Sequence, residues 1–218
     1  MSDVPEGLAR DGFAEGEEDV RDTLRVLRQL AGPAFQHDRI LDFGCRNGRS
    51  SIPLGRVARE LVGVDLDAAV LPSAERNCHD AGLSNVTFMA SLPELADVPG
   101  PFDVVHSRGV FQHIDPRVGY EYLSALLDRV ARRGGGMLHV AYAGPGAQKQ
   151  QSPIARRSQE VVLRLLFGEP KDLPEAMYEY DLGRLFGMLQ ANRFDRVATR
   201  FTEHEGWFGA KVFFWRGY

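Results

Sequence analysis

Apolar residues fall in two rhythms along this chain. Between Asp19 and Ala31, Val20, Leu24, Leu27 and Leu30 recur at near-helical spacing, and Gly32-Pro33 closes the segment. The polar, Gly-containing stretch Met1–Glu18 before it predicts a partly loose terminus. Beyond it, short apolar runs alternate with helical ones. Strands are expected at Arg39–Phe43, Leu61–Asp65, Val86–Met89, Phe102–His106 and Met137–Tyr142. Between them the pattern predicts helices over Ser50–Arg59, Ala68–Ala81 (closed by Gly82) and Gly119–Arg132, the last stopped by Gly134-Gly135-Gly136. Strand and helix alternating in this way imply a parallel sheet covered on both faces.

After residue 143 the rhythm breaks. "AGPGAQKQQSP" reads as a loop, Ile154–Phe167 as a helix with Val161, Val162, Leu165 and Leu166 inward, and "GEPKDLPEAMYEY" as irregular. Asp181 is a plausible N-cap for a helix running to Ala191, with Leu182, Leu185, Phe186 and Leu189 on its apolar face. Arg193–Phe201 and Trp207–Trp215 then read as two strands joined by "TEHEG", close enough to pair antiparallel. The division expected is an N-terminal helical segment (1–37), a ligand-binding core (38–143), an insert (144–180), and a last helix with a closing hairpin (181–218).

At 218 residues the chain suits one domain, and 44% hydrophobic residues suffice for a sizeable core. The formal net charge of −4 and the lack of any long Lys/Arg run argue against a polyanion partner; Arg132-Arg133 and Arg156-Arg157 read more simply as solvated helix ends. No basic segment followed by an apolar run opens the chain, and no stretch approaches the ~20 apolar residues that span a bilayer. Cys45 and Cys78 fit neither a disulfide framework nor a metal-ligand pattern. These features predict a reducing, cytoplasmic setting, with no nucleic acid, membrane or metal partner, as monomer or homodimer.

The chemistry concentrates in "ILDFGCRNGRSSIPLGR", Ile40 to Arg56. A strand ends in an acid, Asp42, and a loop bounded by Gly44 and Gly48 feeds a helix. Glycines there let the main chain approach a ligand closely. The spacing is neither the G-x-G-x-x-G of a dinucleotide fold nor a P-loop. A second acid, Asp65, ends "LVGVD" on the next strand, at about the distance expected of a carboxylate that grips ribose hydroxyls. Either acid alone could be a helix cap; the two together, closing consecutive parallel strands, favour a ligand.

Here the chain resembles the class I S-adenosylmethionine-dependent methyltransferases of the small-molecule type. "ILDFGCRNGR" and "LVGVDLD" match that family's first two motifs, "PFDVVHSRGVFQHI" its fourth-strand region, and "RRGGGMLHVAY" its Gly-rich turn into the fifth strand. The resemblance covers about residues 38–143. It implies a Rossmann-like methyltransferase fold, with a seven-stranded, mostly parallel sheet, an antiparallel last strand and a helical lid over 144–180. It implies S-adenosylmethionine as cofactor, with Asp42 near its methionine amino group and Gly44, Cys45 and Gly48 lining its methionine portion. Asp65 would hold the ribose hydroxyls, Leu66 would pack on the adenine, and Ser91 and Leu92 would lie at the adenine edge. His106 and Ser107 would floor the pocket. Two departures stand out. Arg46 occupies a position where the family often has glycine, and could reach the cofactor carboxylate or simply face solvent. Ser91 occupies one where it often has Asp.

The acceptor expected is a small organic molecule, methylated at oxygen or nitrogen. A hydroxyl acceptor benefits from a base. His113, in "GVFQHI", is the candidate, since an imidazole takes a proton near neutral pH; the competing reading is a histidine bonded to neighbouring backbone. Gln112, His139 and Tyr142 are weaker candidates, and His139 reads as core. "HSRG" after the fourth strand lacks the Asn/Asp-Pro-Pro-Tyr/Phe loop of the resembling DNA amino-methyltransferases. Two other activities stay open: a non-catalytic cofactor-binding or scaffold subunit, and a nicotinamide oxidoreductase, which the loop spacing disfavours.

Overall fold

The computed structural model describes residues 6–90, 95–143, 177–204 and 206–217. In chain order these form α1 (Glu6–Ala31), β1 (Arg39–Phe43), α2 (Ser51–Gly55), β2 (Glu60–Asp65), α3 (Leu71–Asp80), β3 (Val86–Ala90) and β4 (Phe102–Ser107). They continue with α4 (Pro116–Asp128), β5 (Val130–Ala143), α5 (Leu182–Ala191), β6 (Arg196–His204) and β7 (Trp207–Arg216). All seven strands join one sheet in the order β3-β2-β1-β4-β5-β7-β6. Strands β1 to β5 pair in parallel, while β7 runs antiparallel to both β5 and β6. The expected seven-stranded sheet and its closing hairpin are therefore present. Among the described residues no helix is long and apolar enough to cross a membrane.

Each face of the sheet is covered. On one, Val20, Val26, Leu27 and Ala31 of α1 pack with Ile40, Val104, Met137, Phe213 and Trp215. On the other, Leu41, Phe43, Val105 and Phe214 pack with Leu123 and Leu127 of α4 and Leu185 and Leu189 of α5. Polar contacts fix α1 in place: Asp19 with Lys211, Asp22 with Arg200, and the Arg196 guanidinium donating to Leu30 O (2.6 Å) at the helix's C-terminal end. A cation at that end also complements the helix dipole.

Several boundaries differ from the sequence reading, each for a tertiary reason. Helix α1 begins at Glu6, not Asp19. The polar, Gly-containing stretch up to Glu18 reads as partly loose, but Gly16 lies where a Cβ would be 2.6 Å from the Arg49 carbonyl, so its small size lets α1 sit against the chain leaving the glycine loop. Helix α2 is a single short segment and stops at Gly55 rather than Arg59, because the Arg59 and Glu60 N–H groups both turn to the Asp38 carbonyl and draw the chain into β2. Helix α4 starts earlier, at Pro116, with the Asp115 carboxylate accepting from Arg117 N (2.9 Å): an N-cap followed by proline at N1. It ends at Asp128.

The glycine triplet does not stop that helix but lies within β5. Register passes from Phe102↔Val130 to Val104↔Gly135, so residues 131–134 bulge and the glycines re-enter the sheet. Arg216 fills the bulge, donating to the carbonyls of Val130 and Ala131. Strand β6 begins at Arg196, after a turn in which Arg193 takes a positive φ of 60°, and continues to His204. The expected helix over Ile154–Phe167 and most of the expected lid lie outside the described residues. Its last part, Met177–Tyr180, fastens beside the end of β4: Tyr178 N–H donates to Gln112 O (2.7 Å) and Tyr180 Oη to Ile114 O (2.9 Å).

Candidate cofactor site

Adjacent strands β1 and β2 carry both acids to the same edge of the sheet, with Asp42 opposite Gly63 and Phe43 opposite Val64. The loop from Gly44 to Gly48 then crosses that edge. Gly44 and Gly48 have φ of 80° and 85°, and a Cβ on Gly44 would lie 2.0 Å from Val110 Cγ2, so glycine is required there on two counts. Arg46 also sits in the left-handed region, at φ 45°, and is exposed. A non-glycine residue there costs ~1–2 kcal/mol, which exceeds the extra unfolded-chain freedom that glycine would introduce, ~0.5–1 kcal/mol. Arg46→Gly is therefore expected to raise stability by up to ~1 kcal/mol, read as a higher denaturant midpoint with an unchanged slope.

The loop's amides are largely spent inside the protein. Gly44 N–H and Cys45 N–H both donate to Val64 O, Arg46 N–H to Asp65 Oδ2 (2.8 Å), and Gly48 N–H to Cys45 O. This is no phosphate cradle, which needs those donors free. The loop is instead stitched to β2 and to Asp65. The Asp65 carboxylate, 8% exposed, takes a second N–H from Asp67 on Oδ1 (3.0 Å). Two backbone donors hold it in one orientation, and each oxygen keeps a lone pair for a further hydroxyl. Beside it Leu66 stands 41% exposed, an apolar surface next to a fixed carboxylate. Cys45 is buried and burial pushes its thiol pKa up, so its side chain seals the base of the loop. Cys78 is also free and buried.

Asp42 is turned inward. Its Oδ2 accepts from Ser51 Oγ (2.7 Å) and its Oδ1 lies 2.8 Å from His106 Nδ1, with Asp42 and His106 2% and 0% exposed. The acid before the loop thus ties α2 to β4. On the far side of the ring, His106 Nε2 faces Asp19 Oδ2 at 3.9 Å. Burial alone would lower the imidazole pKa, but the carboxylates of Asp19 and Asp42 more than reverse this and raise it to about 9. Asp19 was not among the residues picked from the chain's motifs; His106, expected to floor the pocket, lies fully buried between Asp42 and Asp19. A signal existed: Asp19 sits at helical spacing with Thr23 and Leu27, a carboxylate on a buried stripe.

The remaining candidates separate. Ser107, at the end of β4, is fully buried. Ser91 and Leu92 lie outside the described residues. His113 ends a 3-10 turn, Phe111–His113, and is exposed; the loop that carries it also carries Val110, which covers Gly44. Gln112 uses its carbonyl to hold Tyr178. His139, half-buried on β5, pairs through Nε2 with Thr202 Oγ1 (2.9 Å); burial, with help from Lys211 and Arg108, pushes its pKa down to about 4, which removes it as a base near neutral pH.

Comparison with known proteins matches this geometry. Residues 40–135, the stretch from β1 into β5, match the family described as a methyltransferase domain. Over that stretch the chain is similar to methyltransferase domains. An uncharacterized protein of Synechococcus sp. is 33% identical over 183 residues, 80% of this chain and 40% of that protein. A ubiquinone biosynthesis O-methyltransferase of Methylococcus capsulatus is 32% identical over 114 residues, 51% of this chain and 46% of that protein. The chain thus spans less than half the length of these curated relatives. Among solved structures, the magnesium protoporphyrin IX methyltransferase of Synechocystis PCC 6803 with bound SAH has the same fold, with a TM-score of 0.64 at 19% identity over 99% of this chain and 90% of that one.

Proposed function

We propose that this protein transfers a methyl group from S-adenosylmethionine to a small organic acceptor, at oxygen or nitrogen. The observation that carries this reading is Asp65: a carboxylate fixed by two backbone N–H groups at the end of β2, beside a glycine loop whose own N–H groups are already bonded. Such a site suits a ligand with a diol and no phosphate. The same fact weighs against a nicotinamide dinucleotide, whose pyrophosphate would seek free amides.

In this reading Asp65 accepts from both ribose hydroxyls, Leu66 packs on the adenine, and Gly44 and Gly48 give the methionine portion room along the main chain. Arg46, exposed at the loop's tip, is placed to meet a carboxylate. Asp42 shapes the loop from behind through Ser51 and His106. Bound there, the cofactor would supply an electrophilic methyl group on a good leaving group, so positioning and exclusion of water carry much of the rate. His113, on the loop that touches Gly44, is the residue proposed to take the acceptor's proton or orient it. The O-methyltransferase among the relatives supports oxygen as the atom modified.

Asp65→Ala tests the placement. Hydrogen bonds to charged groups are each worth about 1.5–3 kcal/mol, so affinity for S-adenosylhomocysteine, measured by isothermal titration calorimetry, is expected to fall about tenfold or more. An Asp65→Ala protein that stays folded and binds as before would remove Asp65 from the site. Wild-type binding without turnover across a screen of phenolic, carboxylic and amine acceptors would favour the scaffold alternative.

A further inference from the structure

The glycine loop is connected through buried side chains to the N-terminal helix. Starting from α2, Ser51 bonds Asp42, Asp42 bonds His106, His106 faces Asp19 of α1, and Asp19 pairs with Lys211 of β7 and with Arg108 Nε (3.3 Å) just beyond β4. Asp42, His106 and Asp19 are each at most 6% exposed. Among the described residues, Asp19 Oδ2, His106 Nε2 and Arg108 Nη1 have no hydrogen-bond partner, so the cluster is held by charge rather than by saturated bonding. It borders a depression of about 260 Å³ lined by Glu15, Glu18, Asp19, Asp22, Arg108 and Lys211.

We propose that Asp19 is a positioning residue for the cofactor site: by holding His106 from α1, it fixes Asp42 and with it the loop that receives the cofactor. The inference rests on the cofactor placement argued above. Its physical content is a doubly clamped imidazolium. With a proton on both nitrogens, His106 points one N–H at Asp42 and the other at Asp19, and attracts both. Without the Nε2 proton, a lone pair faces the Asp19 carboxylate and that contact turns repulsive. Asp42 then loses its rigid backing, and α1 is pushed away from the sheet at the point nearest the loop.

The groups that face this ring are Asp42 from β1, Asp19 from α1 and His139 from β5, and across Asp19 stand Arg108, after β4, and Lys211 from β7. Arg49 and Glu15 lie in the field of Asp19 and Arg108. His139 stays neutral near physiological pH and contributes no charge. The folded-state pKa of His106 stands above its ordinary value of 6.5, so its contribution is complete below 6.5 and is lost as pH rises through about 9.

The test measures S-adenosylhomocysteine affinity by isothermal titration calorimetry from about pH 6 to about pH 10, alongside an NMR titration of the His106 ring in histidine-labelled wild type. In wild type, affinity should hold to about pH 8 and then fall about fivefold or more, in step with the ring's own titration. In Asp19→Asn, which keeps the shape but not the charge, the fall should move down by at least about one pH unit, with affinity near wild type at about pH 6. A general loss of structure would not restore binding at low pH. An Asp19→Asn protein with the wild-type profile overturns the proposal. So does a wild-type affinity that stays flat while His106 titrates, and this measurement decides even if the variant fails to fold. Asp65→Ala separates the two readings. Loss of binding there with an unchanged Asp19→Asn profile sinks only the role of Asp19; unchanged binding in both sinks the cofactor placement as well.

Discussion

Replacing Gly135 by alanine is expected to leave no folded protein. A Cβ at this position would lie 2.0 Å from Phe214 O and 2.9 Å from Trp215 Cα. Both atoms belong to the backbone of β7, which is paired to β5 along nearly its whole length, so no side-chain rotation relieves the clash. The strand would have to leave the sheet, and with it the fully buried Phe214 and Trp215. The expected cost exceeds ~4 kcal/mol, which only backbone strain and core disruption produce for single substitutions and which consumes much of a domain's ~5–15 kcal/mol stability. Insoluble expression, or loss of the cooperative thermal transition, is the readout. Gly187→Ala is the control. Its Cβ would meet nothing within 4 Å on α5, so it should gain about 1 kcal/mol from helix propensity. A soluble Gly135→Ala protein with a normal melting transition would show that β5 and β7 do not meet as described.

The same triplet shows where sequence reading stops. Gly134-Gly135-Gly136 after a helical run looks like a helix terminator, because glycine commonly closes helices. Its real constraint comes from β4 and β7, strands about thirty and eighty residues away in the chain, and no local window contains that. The β5 bulge is likewise invisible until Arg216 is seen to fill it. By contrast, β1 and β2 were legible because each is an apolar run ending in an acid, and the sheet buries both faces of such runs. Asp42 and Asp65 were legible as a pair for the same reason. Their different fates were not. Asp65 stays at the surface of the site, held by neighbouring amides, whereas Asp42 is drawn inward by His106, 64 residues away.

Arg46 was legible only in part. A side chain where the family often has glycine reads as a backbone compatible with one, but the residue takes a left-handed φ of 45°. The extent of α1 was not legible, because Gly12 and Gly16 lower helix propensity and only packing against Arg49 explains why the helix continues through them. Asp19 lies between these cases. Its spacing with Thr23 and Leu27 marks it as a carboxylate on a buried face, but its partners come from β4 and β7 and follow only from the sheet order.

His113→Ala is expected to lower turnover by about 10²–10⁴-fold, the usual worth of a positioned general base, while leaving cofactor affinity nearly intact. The argument is one of placement. The turn Phe111–His113 is anchored on its inner side by Phe111, fully buried against Phe43 with ring centroids 5.7 Å apart. It is fastened on its outer side by Tyr178 at Gln112 and Tyr180 at Ile114. Val110, three residues before His113, covers Gly44, so this turn abuts the glycine loop proposed to receive the cofactor. An exposed imidazole on such a platform can meet an acceptor without rearranging the core. Exposure also makes the two explanations separable. Truncating a surface side chain changes stability by only about 0.5 kcal/mol, so a catalytic His113 leaves the melting temperature in place while turnover collapses. A structural His113, bonded to its surroundings to hold the turn, would lower the melting temperature and keep turnover per folded molecule. Melting temperature, S-adenosylhomocysteine affinity and turnover on an acceptor recovered from the screen, all measured on one preparation, distinguish these results. Unchanged turnover would remove His113 from the chemistry and leave positioning and desolvation at the glycine loop as the source of rate.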